Sequence, residues 1–173
     1  MSWRNLRIPV VLLVLLVSLA AFFGIRWLYN KYSVEEPLAR YLESSRLVQS
    51  FEINRHRLVV QVTVNLAPTE NLKDTYLEIT QGIQVVLDGR PFELQLQDNR
   101  DEQLKRAFYY SQFAVYEAIK QGNYLEMMKF VDDQAKEVGA IAYVFLDQDR
   151  VYLQMKRNGH YLYEVISCRL DNT

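Results

Sequence analysis

The stretch that most constrains this chain is "IPVVLLVLLVSLAAFFGI", eighteen uncharged residues from Ile8 to Ile25. An apolar run of this length has few options. It crosses a bilayer and stays, or it is cleaved off as a signal peptide. At 1.5 Å per residue it covers about 27 Å, close to the ~30 Å of a hydrocarbon core. Trp3 stands before it, and Trp27 and Tyr29 after it, as expected for aromatic residues at membrane interfaces. A signal peptide would use Arg4 and Arg7 as its basic start and Ser18-Leu19-Ala20 as its cleavage site. The apolar run continues past Ala20, however, which favours an uncleaved signal-anchor.

This reading divides the chain. Residues 1–7 form a short cytoplasmic tail, 8–29 a transmembrane helix, 30–46 a juxtamembrane helix or linker, and 47–173 an extracytoplasmic α+β domain. The free amine and the arginines of the tail orient the N-terminus inside. The expected location is the cell membrane, with a single pass and the lipid bilayer as one partner.

Charge limits the other partners. After Asn30 there are seventeen basic residues against twenty-one acidic ones, a net charge of −4. A mildly acidic domain is a poor match for nucleic acid. An apolar content of 50% with six Gly and four Pro argues for a folded core.

Periodicity outlines that core. "VEEPLARYLESS" (34–45) carries a narrow apolar stripe through Leu38, Tyr41 and Leu42 and reads as a short helix, able to act as a stalk. "LVQSFEI" and "RLVVQVTVNL" read as a hairpin, with Val60, Val62 and Val64 on one face. From Thr69, taken as the N-cap, Leu72, Tyr76, Ile79, Ile83 and Val86 form a helical stripe ended by Asp88-Gly89. "FELQLQD" alternates as a third strand.

Two helices follow, 99–121 and 124–139, joined at Gly122-Asn123 as a helical hairpin. Leu104, Phe108, Ser111, Val115 and Ile119 form the inner stripe of the first. Met127, Phe130, Val131 and Ala135 form that of the second. "AIAYVFLD", "RVYLQMK" and "HYLYEVISCRL" make a three-stranded antiparallel meander, its last turn at Asn158-Gly159.

The fold class is therefore α+β: an N-terminal transmembrane helix, a β-β-α-β unit, a helical hairpin and a C-terminal meander. In element order the β-β-α-β unit resembles the ring-building domains of bacterial secretion and sporulation machinery. The resemblance implies assembly.

Catalytic motifs are absent from the sequence. There is no G-x-S-x-G, H-E-x-x-H, P-loop or dinucleotide fingerprint. His56 and His160 fall in hairpin turns, and the lone Cys168 has no metal-ligand spacing. Asp147-Gln148-Asp149 reads as a turn whose side chains bond nearby backbone. The expectation is a non-enzyme with no cofactor and no metal.

Twelve tyrosines stand out. Tyrosine offers large contact area at low entropic cost. Tyr109, Tyr110, Tyr116 and Tyr124 lie on the helices, and Tyr152, Tyr161 and Tyr163 in the meander. The last three are the expected interaction surface. The expected role is protein–protein interaction or self-assembly at the cell envelope. The alternatives are a membrane-tethered ligand-binding or sensor module, or a secreted binding protein.

Overall fold

The computed structural model describes residues 8–30, 34–56 and 59–169, with side chains described for 10–25, 34–54 and 59–169. In chain order the elements are α1 (Ile8–Asn30), α2 (Glu36–Ser44), β1 (Val48–His56), β2 (Val59–Leu66), α3 (Leu72–Val86) and β3 (Phe92–Gln97), followed by α4 (Glu102–Gln121), α5 (Tyr124–Glu137), β4 (Ile141–Leu146), β5 (Arg150–Arg157) and β6 (His160–Ser167). The α+β class holds, with two three-stranded sheets, β1-β2-β3 and β4-β5-β6.

The expected transmembrane helix needs correction. α1 is helical, yet among the described residues no helix is long and apolar enough to cross a membrane. The side chains described in α1 run from Val10 to Ile25, sixteen residues. All sixteen are exposed. Trp3 lies outside the described residues, and the side chains of Trp27 and Tyr29 lie outside them too.

The first sheet is a hairpin extended by a crossover. β1 runs antiparallel to β2, with Ile53 opposite Val62. The chain then passes through α3 and returns as β3, parallel to β2, with Leu94 opposite Val62. A parallel pair needs such a crossover, because its second strand must begin at the same end as the first. Alternation places Val60, Val62, Val64 and Leu66 inward, all buried, and Gln61, Thr63 and Asn65 outward.

α3 covers the inner face with Leu72, Ile79 and Ile83, each fully buried. Its N-cap is Asn71, whose side chain accepts from the Asp74 amide at 3.2 Å, and not Thr69. The Thr69 hydroxyl is instead paired with that of Thr75 at 2.7 Å.

α2 is part of this core and not a stalk. Val34, Leu38 and Leu42 are buried with β2 and α3. Tyr41 lies across α3 at Gly82, where its hydroxyl donates to the Glu78 carbonyl at 3.3 Å.

The second sheet is covered on both faces. Val151, Leu153, Met155, Leu162 and Ile166 meet α4 and α5. Tyr152 and Tyr163, from the opposite face, enter the first core. β5 is consequently buried at five successive residues, Val151 to Met155.

The linker between β3 and α4 closes the outer edge of β6. Asp98 accepts from the Tyr163 amide at 2.8 Å, and Asn99 accepts from the Tyr161 amide at 2.7 Å. Arg100 bridges Asp98 and Glu164. Side chains here stand in for the strand that an open edge would otherwise recruit.

Candidate interaction surface

α4 begins where Asp101 accepts from the Leu104 amide at 2.8 Å and pairs with Arg157 of β5 at 2.7 Å. It ends at Gly122, whose φ of 78° lies in the left-handed region, with its amide bonded to the Ala118 carbonyl at 2.7 Å. That cap turns the chain directly into α5. Between these ends Leu104, Ala107, Ser111, Val115 and Ala118 are buried against the second sheet.

The opposite side of α4 is aromatic. At 100° per residue Tyr109, Phe113 and Tyr116 fall within a narrow sector facing away from the buried stripe. They are 56%, 60% and 51% exposed. Tyr109 meets Tyr110 and Phe113 edge to face, at 5.3 and 5.7 Å between ring centroids. Phe130 of α5 is exposed as well, a correction to its expected inward place, while Met127, Val131 and Ala135 do point inward. Phe113, Ala114, Met127 and Phe130 wall a hollow of about 320 Å³ between the two helices.

The tyrosines expected to form the surface lie elsewhere. Tyr152 is 0% exposed and Tyr163 is 2% exposed. The Tyr152 hydroxyl donates to Asp147 at 2.7 Å, and its ring meets Tyr76 edge-on at 5.7 Å. Burial, reinforced by the Asp147 carboxylate, pushes this phenol up to about 12. The Tyr163 hydroxyl accepts from the Thr69 amide at 3.2 Å, and burial raises its pKa too. Tyr161, half-buried, stacks on Tyr163 with ring centroids 4.9 Å apart. The meander's tyrosines are thus joints between the two cores. The signal for the actual aromatic face was their spacing, i, i+4, i+7, opposite Leu104 and Ser111.

The reactive side chains are occupied structurally. Asp147 accepts from the amides of Asp149 and Arg150 at 2.8 Å each, as a turn residue should. His160 Nδ1 sits 2.8 Å from the Asn99 carbonyl oxygen, and the side chain of His56 lies outside the described residues. Burial raises the Cys168 thiol, which lowers its thiolate fraction at neutral pH. Among the described residues no three His, Cys, Asp or Glu side chains stand close enough to hold a metal ion.

No protein-family model matches this chain, and no curated protein matches it significantly. The likeness in element order to ring-building domains therefore has no support from sequence.

Proposed function

We propose that this protein is a non-catalytic interaction module whose contact surface is the outer face of α4 and α5, where it binds a protein partner or a further copy of itself. The supporting observation is the aromatic row Tyr109, Phe113 and Tyr116, exposed directly opposite the helix's own core stripe. Scattered exposed apolar residues need no explanation, but a contiguous aromatic patch marks a contact site. Tyrosine and phenylalanine there bury large area on association while losing few rotamers.

The same proposal holds the module at the membrane of the cell envelope, with its domain outside the cytoplasm. What supports membrane attachment is α1, whose described side chains from Val10 to Ile25 are uncharged, apolar apart from Ser18, and uncovered. Such a surface favours an apolar environment beyond the chain itself.

The test of the contact face is sedimentation of the full chain in a neutral detergent across a wide concentration range, beside affinity capture from envelope extracts. Phe113→Glu should abolish the association seen in the wild-type chain and leave its melting unchanged. A wild-type chain that stays monomeric and captures nothing, or a variant that associates equally well, sinks the reading. Flotation with neutral vesicles, with and without residues 1–30, tests attachment. A cysteine placed after Thr173 in a Cys168→Ser background, labelled in intact cells by an impermeant thiol reagent, tests the side of the membrane.

A further inference from the structure

A cleft runs between the inner face of β3 and the flank of the second sheet. One part, about 500 Å³, is walled by Tyr76, Thr80, Phe92 and Leu94, with Arg90 and Arg150 at its rim. A second part, about 310 Å³, shares Tyr76 and Leu94 and continues to Leu96 and Val165. The cleft exists because the first core thins towards its edge strand. Val60, Val62 and Val64 of β2 are buried, whereas Phe92, Leu94 and Leu96, their neighbours on β3, are only half-buried.

Its charge is unbalanced. Arg100, in the second part, is neutralised by Asp98 and Glu164. Arg90 and Arg150 have no carboxylate within 4.0 Å among the described residues. The acids nearby are occupied. Glu93, which also lines this part of the cleft, accepts from Gln61 at 3.2 Å, and Asp147 takes the Tyr152 hydroxyl and two amides. The Arg150 guanidinium lies 5.4 Å above the centre of the Tyr76 ring. The electron-rich face of the ring attracts the cation, which also lies beside the Tyr152 hydroxyl and feels the Asp147 charge. The Thr80 hydroxyl, buried at the cleft wall, has no hydrogen-bond partner.

We propose that this cleft binds an organic oxyanion, a carboxylate or phosphate borne on a flat apolar body. Arg90 and Arg150 take the charge, and Tyr76, Phe92 and Leu94 take the body. A guanidinium fork matches the two oxygens of either group, and partial exclusion of water strengthens the contact. The lining is mixed, with Gln84, Glu93 and the two arginines beside the rings of Tyr76 and Phe92, and convergent polar groups of that kind fix a ligand's orientation. The inference stands apart from the contact face on α4 and survives its failure.

The experiment is equilibrium dialysis of the full chain in a neutral detergent against four probes: phenyl phosphate, phenylacetate, phenylacetamide and inorganic phosphate. One of the two aromatic anions should bind at a single saturable site, and which one it is decides between phosphate and carboxylate. The neutral amide and inorganic phosphate should each bind about tenfold more weakly or worse, a factor equivalent to about 1.4 kcal/mol. Arg90→Gln and Arg150→Gln should each weaken the aromatic anion to a similar degree with unchanged melting, and added salt should do so progressively. Equal binding of the amide, equal binding of inorganic phosphate, an affinity untouched by both arginine changes, or no binding of any probe would each overturn the proposal.

Discussion

The side chain of Gln154 caps the start of α3: its Oε1 accepts from the Leu72 amide at 3.1 Å. The glutamine lies in the middle of β5, is fully buried, and donates from Nε2 to the Thr69 carbonyl at 2.7 Å. One polar side chain of the second sheet thus satisfies a helix terminus of the first core. Helix N-termini leave amides without partners, and a buried one must find a partner elsewhere.

Gln154→Met keeps the volume and removes both bonds. The Thr69 carbonyl retains Lys156 as a donor, but the Leu72 amide is left without a partner. The expected cost is about 1–3 kcal/mol, the penalty for one orphaned buried group. Chemical denaturation of the variant measures it, and a loss below a few tenths would show that the amide is satisfied in another way.

Gly82 and Tyr41 provide a change of sign. Glycine inside a helix is about 1 kcal/mol worse than alanine. A Cβ at Gly82 would nevertheless overlap the hydroxyl end of the Tyr41 side chain. Gly82→Ala should therefore destabilise the wild-type chain by dislodging Tyr41 from α3. In a Tyr41→Ala background the same change should stabilise by up to about 1 kcal/mol. The double-mutant cycle reads the coupling directly, and two equal single-step effects would refute the contact.

These two pairs mark the limit of what the sequence reveals. Period-two alternation exposed β2 and the meander, and period-three-to-four stripes exposed α3, α4 and α5. Val62, expected in a core strand, is fully buried. The turn at Asn158-Gly159 has φ of 46° and 80°, as that dipeptide implies. Alternation, however, identifies faces by polarity and assumes that the polar one is wet. Tyr152, Gln154 and Tyr163 lie on the more polar face of the second sheet, and that face is covered by the first core. Which cover it receives is decided by packing between distant segments, which no local pattern records. The apolar run at the N-terminus has the converse problem. Composition speaks strongly there, but the described residues of α1 touch no core that could fix its role.

Acid should weaken the fold through two aspartates. The Leu104 amide and then Arg157 hold the Asp101 carboxyl below its usual 3.8. Burial pushes Asp147 up, but the Tyr152 hydroxyl and the amides of Asp149 and Arg150 outweigh it and keep Asp147 below 3.8 as well. A carboxyl with a depressed folded pKa contributes stability that is complete above its unfolded value and lost as pH falls through the folded one. Melting temperature should therefore hold down to about pH 4 and fall below it. Asp101→Asn can still cap α4 but cannot titrate, so its profile below about pH 4 should be shallower than the wild type's. Parallel profiles would remove Asp101 from the account.

The last prediction separates contact from stability on α4. Phe113 is 60% exposed, and its ring meets Tyr109 and lines the hollow beside Phe130. Replacing an exposed side chain away from caps and cores changes stability by about 0.5 kcal/mol or less. Leu104, on the buried face of the same helix, is fully enclosed, and Leu104→Ala should cost about 2–5 kcal/mol. Phe113→Ser should therefore melt like the wild type yet lose its association with copy or partner. Leu104→Ala should melt well below it yet, at a temperature where it stays folded, retain the association. If both variants lost association in proportion to their stability, the aromatic row would be serving the fold, and the contact face would have to be sought elsewhere on the molecule.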